Sequence, residues 1–137
     1  MAKSYRELIV WQKAMMLAES VYAVAKALPD VERFGLAGQM RRAAVSVPSN
    51  IAEGHERRSR AEYRRFIAIA CGSLAELETQ LELAQRLHDM NPDTTQHAVS
   101  LADETGRLLR SIERSLRVTG ASKSNAALQP SALSPQP

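Results

Sequence analysis

Apolar residues recur along most of this chain at alternating spacings of three and four, the period of a helix with one buried stripe. In the first such segment Leu8, Trp11, Met15, Ala18, Tyr22 and Ala25 fall on one line. Ser4-Tyr5-Arg6-Glu7 precedes them as a capping box, a hydroxyl followed three residues later by a carboxylate. Pro29 closes the segment, which predicts a first helix of about 24 residues, or roughly 36 Å. A second stripe, Leu36, Met40, Ala44, Val47 and Ile51, begins after a start somewhere in residues 30–36, and Gly54 offers a place for that helix to end or loosen. Ser59-Arg60-Ala61-Glu62 is another capping box. It opens the longest segment, where Tyr63, Phe66, Ala70, Leu74, Leu77, Leu81 and Ala84 keep step and Ile67, Ile69, Leu83 and Leu87 widen the apolar arc. Asn91-Pro92 supplies a cap followed by proline at the first helical position. Leu101, Thr105, Leu108, Ile112 and Leu116 complete the pattern, with Gly120 as the stop.

No strand-like alternation and no internal repeat interrupts these four segments. Short links between long helices favour antiparallel neighbours. The expected fold is all-α: an up-down-up-down antiparallel four-helix bundle over residues 1–119. Residues 120–137, GASKSNAALQPSALSPQP, contain three prolines, four serines and no aromatics. Such a segment buries too little surface to offset the entropy of ordering it, and a disordered C-terminal tail is expected there.

One stretch, RRAAVSVPSNIAEG at residues 41–54, places a proline inside a helical pattern. Proline removes one backbone hydrogen bond and presses on the carbonyl four residues back, here Ala44, at about 3 kcal/mol. The apolar phase survives Pro48, so a kinked helix fits better than a helix end, with Ser46 and Ser49 available to bond freed backbone groups. Arg42, Ser46, Asn50, Glu53 and Arg57 follow at spacings of four, four, three and four as a polar stripe beside the kink. A solvated face and a polar network between helices or subunits both account for it. A catalytic site does not, since neither serine has a histidine at a convincing spacing.

The 137 residues make one domain, long enough to bury a core without disulfide or metal. Cys71 is the sole cysteine and excludes a disulfide framework within the chain. The first residues have no apolar signal core and no apolar run spans a membrane, so a cytoplasmic protein is expected. Net charge is +3, and 14 of the 18 basic residues are arginine, whose planar fork suits phosphate and carboxylate.

Catalytic and metal chemistry find no constellation. None of His55, His88 and His97 has a glutamate three residues before it, as a di-iron bundle requires. His55-Glu56 lacks the second histidine of a zinc protease. No cofactor is expected. The remaining signal is arginine clustering. Arg57, Arg58, Arg60, Arg64 and Arg65 place five guanidiniums in nine residues, straddling the turn between the second and third helices. Arg107, Arg110, Arg114 and Arg117 form a second row on the fourth helix. Solvated faces partly paired with acids compete with phosphate binding as the reading of both.

QMRRAAVSVPSNIAEG, with Phe34-Gly35-Leu36 upstream and YRRFIAIACGSLAELETQLELA downstream, closely resembles the four-helix-bundle family of 23S rRNA intervening-sequence proteins. LIVWQKAMMLAESVY fits that family's first helix, and the resemblance covers about residues 4–119. It implies a homopentamer. The founding members are encoded within insertions in bacterial large-subunit ribosomal RNA genes. Similar proteins are accessory variability determinants of diversity-generating retroelements, which associate with a reverse transcriptase and nucleic acid. Two expectations follow: a non-enzymatic homo-oligomer binding the RNA or DNA backbone through its arginines, or a protein-interaction scaffold or accessory subunit for a partner such as a reverse transcriptase.

Overall fold

The computed structural model describes the backbone of residues 3–124 and the side chains of residues 3–117. Four helices carry the chain: α1 (Ile9–Ala27), α2 (Leu36–Glu56), α3 (Arg60–Leu87) and α4 (Pro92–Ser124). Single 3-10 turns, Tyr5–Glu7 and Asp30–Glu32, precede α1 and α2, and no strand occurs among the described residues. The helices pack in a closed cycle, α1 on α2, α2 on α3, α3 on α4 and α4 on α1. The α2–α3 link is residues 57–59 and the α3–α4 link residues 88–91. Three extended residues reach only about 10 Å. The 28 residues of α3 extend about 42 Å. A helix that packs along its predecessor after so short a link must run antiparallel to it. The architecture is the expected four-helix bundle.

Two of the three sequence-marked helix starts hold as written. Ser59 Oγ accepts from Glu62 N at 2.9 Å and opens α3. Asn91 Oδ1 accepts from Asp93 N at 2.8 Å, with Pro92 as the first residue of α4. The third differs. Ser4 Oγ does accept from Arg6 N at 3.1 Å, but it caps only the 3-10 turn. Leu8 is then extended, with ψ of 126°, and α1 begins at Ile9 with 19 residues. Tyr5 meets Trp11 edge-on at 5.3 Å between ring centroids, which folds the turn back onto the helix. The far end of α1 behaves as expected: Leu28, ahead of Pro29, is extended at ψ 153° because a following proline excludes the helical conformation.

The buried stripe of α1 is offset by one residue from the expected one. Val10, Ala14, Leu17, Val21 and Val24 of α1, with Leu28 just beyond it, are buried; of the expected line, Ala25 is buried and Leu8, Trp11 and Ala18 pack half-buried against the core, whereas Met15 and Tyr22 are 39% and 46% exposed. Both lines have helical spacing. The packing of α1 against both α2 and α4 decides which line is enclosed. The stripes of α2 and α3 fall as expected, and on α4 Leu101, Thr105 and Leu116 are buried while Leu109 is fully enclosed and Leu108 and Ile112 are half-buried. Met40, Ala44, Val47 and Ile51 are fully enclosed on α2, and Phe66, Ala70, Leu74, Leu77, Leu81 and Ala84 are buried on α3. The arc of α3 is wider than the core, leaving Ile69, Leu83 and Leu87 exposed.

Glycine and proline act differently from the sequence reading at three places. α2 runs unbroken through Pro48, as the apolar phase required. However, Ser49 is exposed, and the Ser46 hydroxyl pairs with side chains rather than with the backbone near Ala44. Gly54 does not end α2, which continues to Glu56. It is buried where α3 crosses: a Cβ there would lie 2.7 Å from Phe66 Cβ. α4 likewise continues past Gly120 to Ser124. Glycine costs a helix only about 1 kcal/mol, and no described glycine takes the positive φ of a helix stop. The expected tail therefore begins inside a helix, and its residues 125–137 lie outside the described ones.

Candidate nucleic-acid interface

The short α2–α3 link brings all five clustered arginines to one end of the bundle. Arg57 is the C-cap of α2, and its guanidinium bonds Glu53 at 2.8 Å. Arg65 reaches Glu62 at 3.3 Å. Both also lie over the Phe66 ring, at 4.8 and 4.6 Å from its centroid. Such stacking holds a guanidinium in place while leaving its charge available. Arg58, Arg60 and Arg64 are exposed and have no carboxylate within 4 Å among the described residues.

The fold adds cations that the linear sequence kept apart. Antiparallel packing places Gly106 against Leu74, and Arg110 and Glu113 both act electrostatically on Cys71. Continuing in that register, Arg114 and Arg117 reach the level of Arg64–Ile67. Arg117 is paired with Glu113 at 3.4 Å, and Arg114 has no such partner. Arg6, ahead of α1, comes to the same end and lies over Tyr5 and Trp11. Counting residues along antiparallel helices would have found this grouping; spacing within one segment does not.

The aromatics of this end are not open platforms. Tyr63 is half-buried, stands edge-on to His55 with ring centroids 5.8 Å apart, and packs beside Gly54. Burial also raises its hydroxyl's pKa. Phe66 is buried beneath its two arginines. Base stacking needs exposed rings, so the chemistry on offer is charge directed at phosphate.

On the polar stripe of α2, Ser46 bonds across to α3 and Asn50 bonds Ser46 within the helix, while the rest of the stripe makes no interhelical bond among the described residues. Ser46 Oγ and Ser73 Oγ of α3 are 2.7 Å apart. Asn50 Nδ2 donates to Ser46 O at 2.8 Å and to Ser46 Oγ at 3.0 Å. Arg42 and Glu53 are exposed, and Pro48 is buried on the core side. Beside this network a groove of about 310 Å³ is lined by Gln39, Arg42, Ala43, Ser46, Ser73 and Glu76. Ser73 was not singled out in the sequence, since nothing local connects it to Ser46.

A larger groove of about 400 Å³ lies between α3 and α4 and presents Glu78, Glu82 and Asp103 with Arg86. Burial raises the Glu78 pKa, Asp103 adds to this and Arg110 opposes it. That surface repels phosphate. Cys71 is half-buried, and burial followed by Glu113 pushes its thiol up against the opposing Arg110. A thiol so held is a poor nucleophile. No group of three or more metal-ligating side chains occurs among the described residues. No described helix is long and apolar enough to cross a membrane.

Comparison with known proteins agrees with this architecture. A crystal structure of a protein of unknown function from the S23 ribosomal protein family of Bacteroides thetaiotaomicron superimposes with a TM-score of 0.71 at 26% identity, covering 77% of this chain and 96% of that one. No curated protein sequence matches. Residues 6–111, from the arginine ahead of α1 into the middle of the α4 arginine row, match the sequence profile of one family. By that match and by its four-helix bundle, the chain belongs to the 23S rRNA-intervening sequence protein family.

Proposed function

We propose that the protein is a non-enzymatic, homo-oligomeric nucleic-acid-binding protein that holds the RNA or DNA backbone at its arginine-rich end. The observation that carries this reading is the set of exposed guanidiniums without acidic partners at that end, Arg58, Arg60, Arg64 and Arg114, beside the two that Phe66 orients. Phosphate neutralisation of this kind gives affinity with little sequence preference. The family's name, which refers to insertions in ribosomal RNA, fits an RNA partner.

Self-association has support in exposed apolar side chains on two separate surfaces. Met15 and Tyr22 lie on α1, and Ile69 and Leu83 on α3. A ring joins unlike patches of neighbouring copies, and the family resemblance supplies the number five. Small residues permit close approach of another helix, but Ala43, Ala44 and Ala70 are consumed by the bundle's own core. Only Gly72 faces open space. Several arginine-rich ends on one assembly would add avidity. The same apolar surfaces also suit the second reading, an accessory subunit for a partner such as a reverse transcriptase.

The test is fluorescence anisotropy with labelled RNA and DNA at two salt concentrations. Replacing Arg58, Arg60 and Arg64 together by glutamine should weaken binding to all sequences and flatten the salt dependence by about one unit of slope per lost phosphate contact. Light scattering should show an unchanged assembly. A parent that fails to bind at low salt, or a variant that binds equally well, would leave the accessory-subunit reading in its place.

A further inference from the structure

We infer that Phe34 and Arg33 of one copy dock into the α3–α4 groove of a neighbouring copy, as a knob in a socket. This rests on the self-association proposed above and assigns it a contact between two unlike patches.

The knob stands on the link between α1 and α2. Phe34 and Val31 are 87% and 83% exposed, more than any other large hydrophobic side chain among the described residues. Arg33 lies over the Phe34 ring, its guanidinium carbon 5.3 Å from the centroid. The link is held on both sides. Arg41 Nη2 donates to Arg33 O at 3.1 Å, and the Glu32 carboxylate lies 2.8 Å from His88 Nε2. An aromatic ring presented on an anchored turn loses less freedom on binding than one on a loose loop. The surface beside it is basic: Lys26, Arg33 and Arg41 border a small cavity with Asp30. None of these three cations has a carboxylate within 4 Å among the described residues.

The socket has the complementary make-up. Its floor is apolar, with Leu81 and Ala102 buried and Val99 half-buried against the core. Its rim carries Glu78, Glu82 and Asp103. Arg86 takes Glu82, whereas Glu78 and Asp103 have no basic partner within 4 Å among the described residues. At about 400 Å³ the groove has room for a phenyl ring together with a guanidinium. With Phe34 on the floor, Arg33 meets the free carboxylates of the rim. Aromatic and arginine side chains of this kind anchor interfaces. Phe34 is too exposed to fill the groove of its own chain, and a second copy brings the same knob.

The two halves also lie at similar heights. The Glu32–His88 bond sets the link level with the end of α3. Glu82, near the middle of the groove, is about 9 Å further along that helix. In a ring whose axis follows the bundles, rotation adds no rise, so unlike patches at similar heights can meet and close.

The experiment is sedimentation velocity on the full-length protein at micromolar concentration, with circular dichroism for helical content. Phe34→Asp removes the knob and Asp103→Arg blocks the socket. Both positions are exposed, so helical content should match the parent. Each variant should raise the concentration needed for assembly by about thirtyfold or more. Mixed together, the two variants should form a species of two chains, because one intact knob then meets one intact socket. If either variant keeps the parent's assembly, or if both dissociate and stay apart when mixed, the contact is wrong. Self-association still stands in those cases, since the parent remains an oligomer. A parent that sediments as a monomer overturns this contact and the self-association reading together.

Discussion

At the scale of single residues, Gly54 shows how a position acquires meaning from a partner far along the chain. In the sequence it resembles a helix stop; in the bundle its missing Cβ is the space that Phe66 and Tyr63 occupy. Gly54→Ala improves intrinsic helix propensity by about 1 kcal/mol, yet it should destabilise the protein by about 1–3 kcal/mol because the core is overpacked there. Thermal melts decide the sign. Glu32 is a second case. Its carboxylate lies 2.8 Å from His88 Nε2 and accepts the first backbone N–H of α2, from Leu36, at 3.3 Å. It thereby joins the α1–α2 link to the end of α3. These bonds lower its pKa, the His88 bond first. A carboxylate whose folded pKa is depressed adds stability above its unfolded pKa and loses it as pH falls through the folded value. Glu32→Gln should therefore melt earlier than the parent at neutral pH, and the two melting curves should converge below the ordinary glutamate range. Glu78 has the opposite shift. Its charged form is disfavoured by folding, so Glu78→Gln should raise the melting temperature at neutral pH and leave it unchanged in acid.

At the scale of elements, α2 carries the conflict between local preference and burial. Pro48 interrupts its hydrogen bonding, and the helix continues because Met40, Ala44, Val47 and Ile51 on either side are fully enclosed. Pro48→Ala restores a backbone bond worth up to about 3 kcal/mol in a helix interior, while removing two buried methylenes at about 0.8 kcal/mol each. The net expectation is a gain of about 1–2 kcal/mol, read as a higher denaturant midpoint. A loss would mean that the ring's packing outweighs the missing bond. Asn50 and Ser46 were legible as part of a stripe from spacing alone. The hydrogen bond between Ser46 and Ser73 was not, because it depends on the facing register of α3.

At the scale of the whole molecule, charge is segregated: arginines gather at one end and carboxylates line the α3–α4 groove. The same bundle leaves apolar side chains on α1 and α3 exposed among the described residues. On the proposed self-association, replacing Met15 and Tyr22 together by glutamate should give a 15.1 kDa monomer in light scattering with its helical content intact. An undiminished assembly would exclude this face of α1 from the subunit contact. Among the described residues, every buried hydrophobic side chain lies between Val10 and Leu116. Deleting residues 125–137 should accordingly leave melting temperature and assembly size unchanged.

The number of helices, most of their limits and the buried stripes of α2 and α3 follow from the sequence, because helical periodicity and terminal caps are properties of neighbouring residues. The grouping of Arg57, Arg58, Arg60, Arg64 and Arg65 is of the same kind, since only a three-residue link separates α2 from α3. Tertiary structure decided what neighbours cannot encode. α1 has two apolar lines of helical spacing, and its packing against both α2 and α4 encloses the one through Val10, Ala14, Leu17, Val21 and Val24. The delivery of Arg6, Arg114 and Arg117 to the arginine-rich end came from antiparallel order, and the Ser46–Ser73 bond from the register of two helices. Each depends on a distance between residues remote in the chain, which only packing sets.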